Sequence, residues 1–177
     1  TWSEAWTALG EASYHLTAPG VPWDSLAEAA FTEARRADPE FVPPIFHLVE
    51  FALAKNEVAR AQTLFSEFRR SRPDSTWVVQ LQLMLDCVQG GAGKSEWLSL
   101  ARTYPQEVTL ASKTLASVMR RYDCAEQGFR AVLHAGTLPV QVQWMAVFGL
   151  QNLLLAPGTP VAVRPVVDSA VAAGFRA

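Results

Sequence analysis

A nine-residue segment of this chain occurs twice. Phe31-Thr-Glu-Ala-Arg-Arg-Ala-Asp-Pro39 returns 34 residues later as Phe65-Ser-Glu-Phe-Arg-Arg-Ser-Arg-Pro73. Ala27 stands four residues before the first Phe, and Ala61 four residues before the second. The pairs Glu33/Glu67, Arg35/Arg69, Arg36/Arg70 and Pro39/Pro73 keep the same period. A repeat of this length is one supersecondary unit. It cannot bury its apolar face alone, so neighbouring units must stack and share a core.

The spacing of apolar residues within each unit is helical, and breakers divide the helices. Ser3 opens a first helix that runs to about His15, and the cluster from Thr17 to Pro22 breaks the pattern. Ser25-Leu-Ala-Glu28 reads as a capping box, in which hydroxyl and carboxylate each satisfy an orphan backbone N–H. That helix ends near Ala37, because Asp38 precedes Pro39 and avoids helical angles. Pro43 and Pro44 suit the first turn of a third helix, to about Lys55. Asn56 is expected to cap a fourth helix, to about Arg70, and Asp74 or Ser75 to start a fifth, through Val88. A sixth holds Trp97 and Leu100 and stops before Pro105, and a seventh covers about Glu107 to Arg121. Asp123 and Glu126 repeat the capping logic for an eighth, with Ala125, Phe129 and Val132 on its apolar face. Pro139 opens a ninth, to about Leu155, and a short tenth is expected from about Pro165 to Ala173. Ten helices make five pairs, with repeats at about 3–39, 40–73, 74–105, 106–137 and 138–177 in one domain.

These residues resemble the tetratricopeptide repeat family. Its first-helix pattern, Trp-x2-Leu-Gly-x2-Tyr, is met by Trp6, Leu9 and Gly10, with Ser13 at the Tyr position and Tyr14 beside it. Its second-helix pattern is met by Ala27, Phe31, Ala34 and Pro39, and again by Ala61, Phe65 and Pro73, with Phe68 at the third small position. The match is strongest over residues 3–73, thinner over 74–134, and weakest after 139. The manner of the repeats is similar to that of arrays in bacterial multidomain regulators. The resemblance implies an all-α fold, a right-handed superhelical solenoid of antiparallel helix pairs. It also implies a non-enzymatic module that binds a protein or peptide on its concave face. By repeat register that face carries Glu11, Tyr14, His15, Phe46, Glu50, Trp77, Gln80 and Met84. Thr7 and Glu11 stand where chaperone-binding members carry Lys and Asn, so a clamp for a terminal carboxylate is not expected. Two other roles fit the same residues: a regulatory or sensor segment of a larger signalling protein, and a self-associating structural module.

Half of the chain is apolar, 18% is charged and the net charge is −2, which gives no electrostatic footprint for nucleic acid or an anionic membrane. No apolar run is long enough to span a bilayer. A start at Thr1 without a signal peptide suggests a piece of a longer protein, with a cytoplasmic setting slightly favoured. Cys87 and Cys124 fall inside helical patterns and read as buried apolar thiols, with a Cys87–Cys124 bridge as the less favoured alternative. Gly90-Gly-Ala-Gly-Lys-Ser95 imitates a phosphate loop, but Val88 stands where its opening glycine belongs, and a helix rather than a strand leads into it. His47 and Glu50 lie one helical turn apart and could be half of a metal site, without a partner evident in sequence. No nucleophile–base motif or metal motif completes a centre, so the expectation is no catalytic residue, no metal and no cofactor. Among the six tryptophans, Trp6 and Trp97 read as packing residues. Trp77 reads equally as a groove anchor or as inter-repeat packing.

Overall fold

The computed structural model describes residues 1–16, 25–91, 93–136 and 138–155, apart from the side chains of 94, 95, 154 and 155. The Thr17–Pro22 break, Trp23 and the expected tenth helix lie outside the described residues. Every regular element among the described residues is an α-helix. They fall into two compact units, Thr1–Val88 and Gln89–Ala177. The first holds α1 (Trp2–Leu16), α2 (Ser25–Ala37), α3 (Pro43–Ala54), α4 (Val58–Ser71) and α5 (Trp77–Val88). The second holds α6 (Lys94–Thr103), α7 (Pro105–Ser117), α8 (Tyr122–His134) and α9 (Val140–Leu155).

In the first unit each helix packs on the next, and α3 also packs on α5. In the second, α6 meets α7 and α8, and α9 meets α7 and α8. The repeated residues explain this order. Ala27, Ala30, Phe31 and Ala34 form the buried stripe of α2, and Ala61, Leu64, Phe65 and Phe68 that of α4. Phe31 and Phe65, one period apart, are 0% and 5% exposed. Small residues let the helices close on these rings. A Cβ at Gly10 of α1 would lie 2.7 Å from the Phe31 ring, and one at Gly149 of α9 would lie 2.2 Å from the Phe129 ring. Burying each Phe is worth about 2–3 kcal/mol.

Ion pairs tie the first two repeats together. Arg35 of α2 pairs with Glu67 of α4, which stands 34 residues after Glu33. Arg36 pairs with Glu33 at 2.8 Å within α2. The Glu28 carboxylate accepts from Lys55 and from Arg60, the latter at 3.1 Å. It therefore ties α2 to the end of α3 and the start of α4, where a capping role was expected. Burial pushes its pKa up, but the Lys55 and Arg60 hydrogen bonds outweigh burial and leave it lowered.

Several boundaries differ from the sequence reading: α1 starts at Trp2 and takes Ser3 inside it, and α5 starts at Trp77 rather than at Asp74 or Ser75. Asn56 does not open α4. It closes α3 in the left-handed region, with φ 60°. Its N–H bonds the Leu53 carbonyl, and the Glu57 N–H bonds the Ala52 carbonyl at 2.8 Å, which together form a Schellman motif. The cap position of α4 is Glu57. α7 starts at Pro105, two residues early, because proline is preorganised for a first turn. It stops at Ser117 because Arg120 turns to φ 53°. α8 starts at Tyr122, which puts Asp123 inside its first turn, where a negative charge suits the helix dipole. Both cysteines are disulfide-bonded and neither is free, so the expectation of buried thiols is corrected.

Candidate partner-binding surface

Two clusters in the first unit contain most of the sequence-chosen residues. The first joins α1 to α3. Glu11, Tyr14 and His15 occupy one face of α1 at i, i+3 and i+4, and His47, Glu50 and Phe51 do the same on α3. The His47 ring lies between them. Its Nδ1 is 2.7 Å from a Glu50 oxygen and its Nε2 is 2.9 Å from a Glu11 oxygen. The other Glu11 oxygen is 3.2 Å from His15 Nε2. Phe31 stacks on His47 at 4.7 Å and 18° between planes, and Tyr14 tilts against it at 4.7 Å.

The electrostatics follow from that geometry. Burial works against a charge on His47, but its hydrogen bonds to the Glu11 and Glu50 carboxylates outweigh burial and raise the pKa to about 9. At neutral pH His47 is therefore an imidazolium that donates from both nitrogens. Glu11 is held below the usual carboxylate range, first by its hydrogen bond to His47, with burial opposing. The Tyr14 phenol is raised, first by burial and then by the charge and hydrogen bond of Glu50. The sequence reading weighed half a metal site in His47 and Glu50 and favoured a structural or surface role. In the structure both His47 nitrogens are engaged by carboxylates. Among the described residues no group of three or more His, Cys, Asp or Glu is placed to hold a metal ion. The cluster ties α1 to α3.

The second cluster continues the first through rings. Phe46 lies 5.3 Å from His47 and 5.2 Å from Trp77, and Trp77 stacks over Phe68 at 6.4 Å and 20°. Trp77 begins α5 and is 47% exposed, whereas Phe68 beneath it is buried. A cleft of about 610 Å³ opens there. It is lined by Val42 and Pro43 at the start of α3, by Phe68, Ser71 and Arg72 at the end of α4, by Pro73, Asp74 and Ser75, and by Trp77.

The eight positions chosen from sequence thus divide. Trp77 and His15 are exposed, and Glu11, Tyr14 and Phe46 are half-buried. Glu50, Gln80 and Met84 are interior at 2%, 6% and 0% exposure. Those three cannot meet a partner as placed. Gln80 and Met84 share α5 with Leu81, Leu83 and Leu85, and the helix is buried against α3 and α4. Glu50 faces His47 inside the α1–α3 seam. Residues that sequence reasoning missed are His47 as the centre of the first cluster, and Phe68, Pro43, Arg72 and Pro73 as the walls of the cleft. In the second unit Trp97 is fully buried against Gly128, as a packing residue should be. Trp6 is half-buried.

Compared with known proteins, the chain matches no family model, no curated protein and no solved structure. No described helix is long and apolar enough to cross a membrane.

Proposed function

We propose that this chain is a non-enzymatic interaction module of tetratricopeptide type that binds a protein or peptide partner. The observation that carries the reading is Trp77. A large aromatic ring stands half exposed at the mouth of a cleft while Phe46 and Phe68 hold it from behind. Aromatic anchors fixed in this way cost little conformational entropy on binding and dominate interface energetics. The helical pairs with their 34-residue period support the repeat assignment.

Selection of displayed random peptides against the chain tests this. Enriched peptides should lose about tenfold or more in affinity for Trp77→Ala, the usual scale for a hot-spot residue. Failure to enrich any peptide, or enrichment of peptides indifferent to Trp77, would count against it.

A second reading, self-association, rests on α9. Val140, Met145 and Phe148 are 56%, 38% and 53% exposed on a helix that carries no charged residue. Sedimentation velocity across a concentration series, with Phe148→Glu as control, separates the two readings.

A further inference from the structure

We propose that the Trp77 cleft takes an acidic peptide segment carrying one large apolar residue. The inference rests on the interaction reading above and names the chemistry of the partner. Its basis is a break in the ion-pair pattern of the repeats. In the first repeat Arg35 reaches forward to Glu67 and Arg36 reaches back to Glu33. The second repeat has the same arginines without the same acids. In the third repeat, which is shorter by two residues, the position that would answer Arg69 is Ser99, as far before Pro105 as Glu67 is before Pro73. The carboxylate one turn before Arg70 is Glu67, already held by Arg35. Where the first repeat has Asp38 before its proline, the second has Arg72 before Pro73.

Three arginines therefore stand at one helix end, and among the described residues no carboxylate pairs with Arg69, Arg70 or Arg72. All three residues are exposed. Arg69 and Arg70 complement the α4 dipole. Arg72 lies past the helix and lines the cleft beside Phe68, Pro43, Pro73 and Trp77. The only carboxylate in the cleft lining is Asp74. The local balance is cationic in a chain whose net charge is −2. An apolar side chain inserted against Trp77 would place its flanking residues within reach of this field, which extends about 8–10 Å at physiological salt. Acidic flanks gain bidentate bonds from guanidinium groups, and basic flanks are repelled. A peptide fits better than a nucleic acid. A phosphate backbone needs several cations along its track, whereas one arginine lines this cleft.

The test is fluorescence anisotropy on the whole chain with labelled, end-blocked peptides of sequence Gly-Glu-Glu-Ser-Phe-Ser-Glu-Glu-Gly. Companion peptides replace every Glu with Lys, or Phe with Ser, and a thymidine dodecamer is run alongside. The acidic Phe peptide should bind about tenfold or more tighter than either companion. Raising salt from about 50 to about 300 mM should weaken it. Arg72→Glu should weaken it by about tenfold, and Trp77→Ala should remove it. Both residues are exposed, so helical circular dichroism should be unchanged in the variants. Equal binding of the Lys companion, or indifference to Arg72→Glu, overturns the acidic partner. If that binding still needs Trp77, the interaction reading stands. Tighter binding of the dodecamer, or no binding by the acidic peptide, overturns the inference as well. Binding unaffected by Trp77→Ala removes both readings.

Discussion

His47 makes the fold of the first unit dependent on pH in a direction opposite to that of most buried histidines. Its pKa lies at about 9 in the folded chain, against an ordinary 6.5. A group whose folded pKa is raised stabilises fully below its unfolded value and loses that contribution as pH climbs through the folded one. At about 1.4 kcal/mol per pH unit, the difference is worth about 3 kcal/mol, present below about pH 6.5 and gone above about pH 9. The groups facing the imidazole are Glu11 and His15 from α1, Glu50 from its own helix, and the Tyr14 phenol. Glu11 is depressed, so its contribution is present above its ordinary value of 4.5 and fades as pH falls through its lower folded value. Together these place maximum stability of the seam between about pH 4.5 and 6.5.

The assay is urea unfolding at about pH 6, 7, 8, 9 and 10, on the native sequence and on His47→Gln. The variant keeps the shape of a hydrogen-bonding side chain but cannot titrate. It leaves Glu50, 3% exposed, without its cation, which should cost about 3–5 kcal/mol at neutral pH. The difference in stability between the two chains should shrink toward alkaline pH by about 3 kcal/mol. A difference independent of pH, or an imidazole that titrates near its ordinary value by NMR, would refute the imidazolium bridge.

The remaining predictions concern packing and chemistry elsewhere. Phe31→Ala should destabilise by about 3–5 kcal/mol, since the ring is fully buried and stacks on His47. Thermal unfolding within about 1 kcal/mol of the native chain would argue against the repeat register. Gly10→Ala should destabilise by about 1–3 kcal/mol despite its better helix propensity, because the new Cβ meets the Phe31 ring at 2.7 Å. A stabilised variant would show that α1 and α2 can part. A thiol count under denaturing conditions should find no free cysteine before reduction and both Cys87 and Cys124 after it.

What the sequence makes legible depends on how local the cause is. Helix ends set by proline, such as the end of α2 before Pro39 and the start of α3 at Pro43, need only neighbouring residues. Phe31 and Phe65, one period apart in the sequence, are both buried, as the repeated apolar pattern predicts. Asn56 shows where local logic divides: the residue suits a helix start and a left-handed helix end equally, and only the α3 hydrogen bonds select the second. The His47 bridge lies further off, since its Glu11 partner is 36 residues away. A signal was present nonetheless. Glu11, Tyr14 and His15 repeat the helical spacing of His47, Glu50 and Phe51 about one period earlier, so stacking must turn the two faces together. Of these side chains Glu11, Tyr14, His15 and Glu50 were read as groove residues, and in the structure Glu50 is interior, Glu11 and Tyr14 are half-buried and His15 is exposed. Met84 fails for a related reason. It follows Trp77 by two helical turns and shares its face, but α5 runs from an exposed first residue into an interior packed by α3 and α4. Periodicity fixes the side of a helix that a residue occupies. Depth along the helix depends on where its neighbours lie, which no single segment encodes. The cationic end of α4 can be read from sequence once the ion pairs of the first repeat are known, because Ser99 stands where an acid would answer Arg69 and Arg72 stands where the first repeat has Asp38.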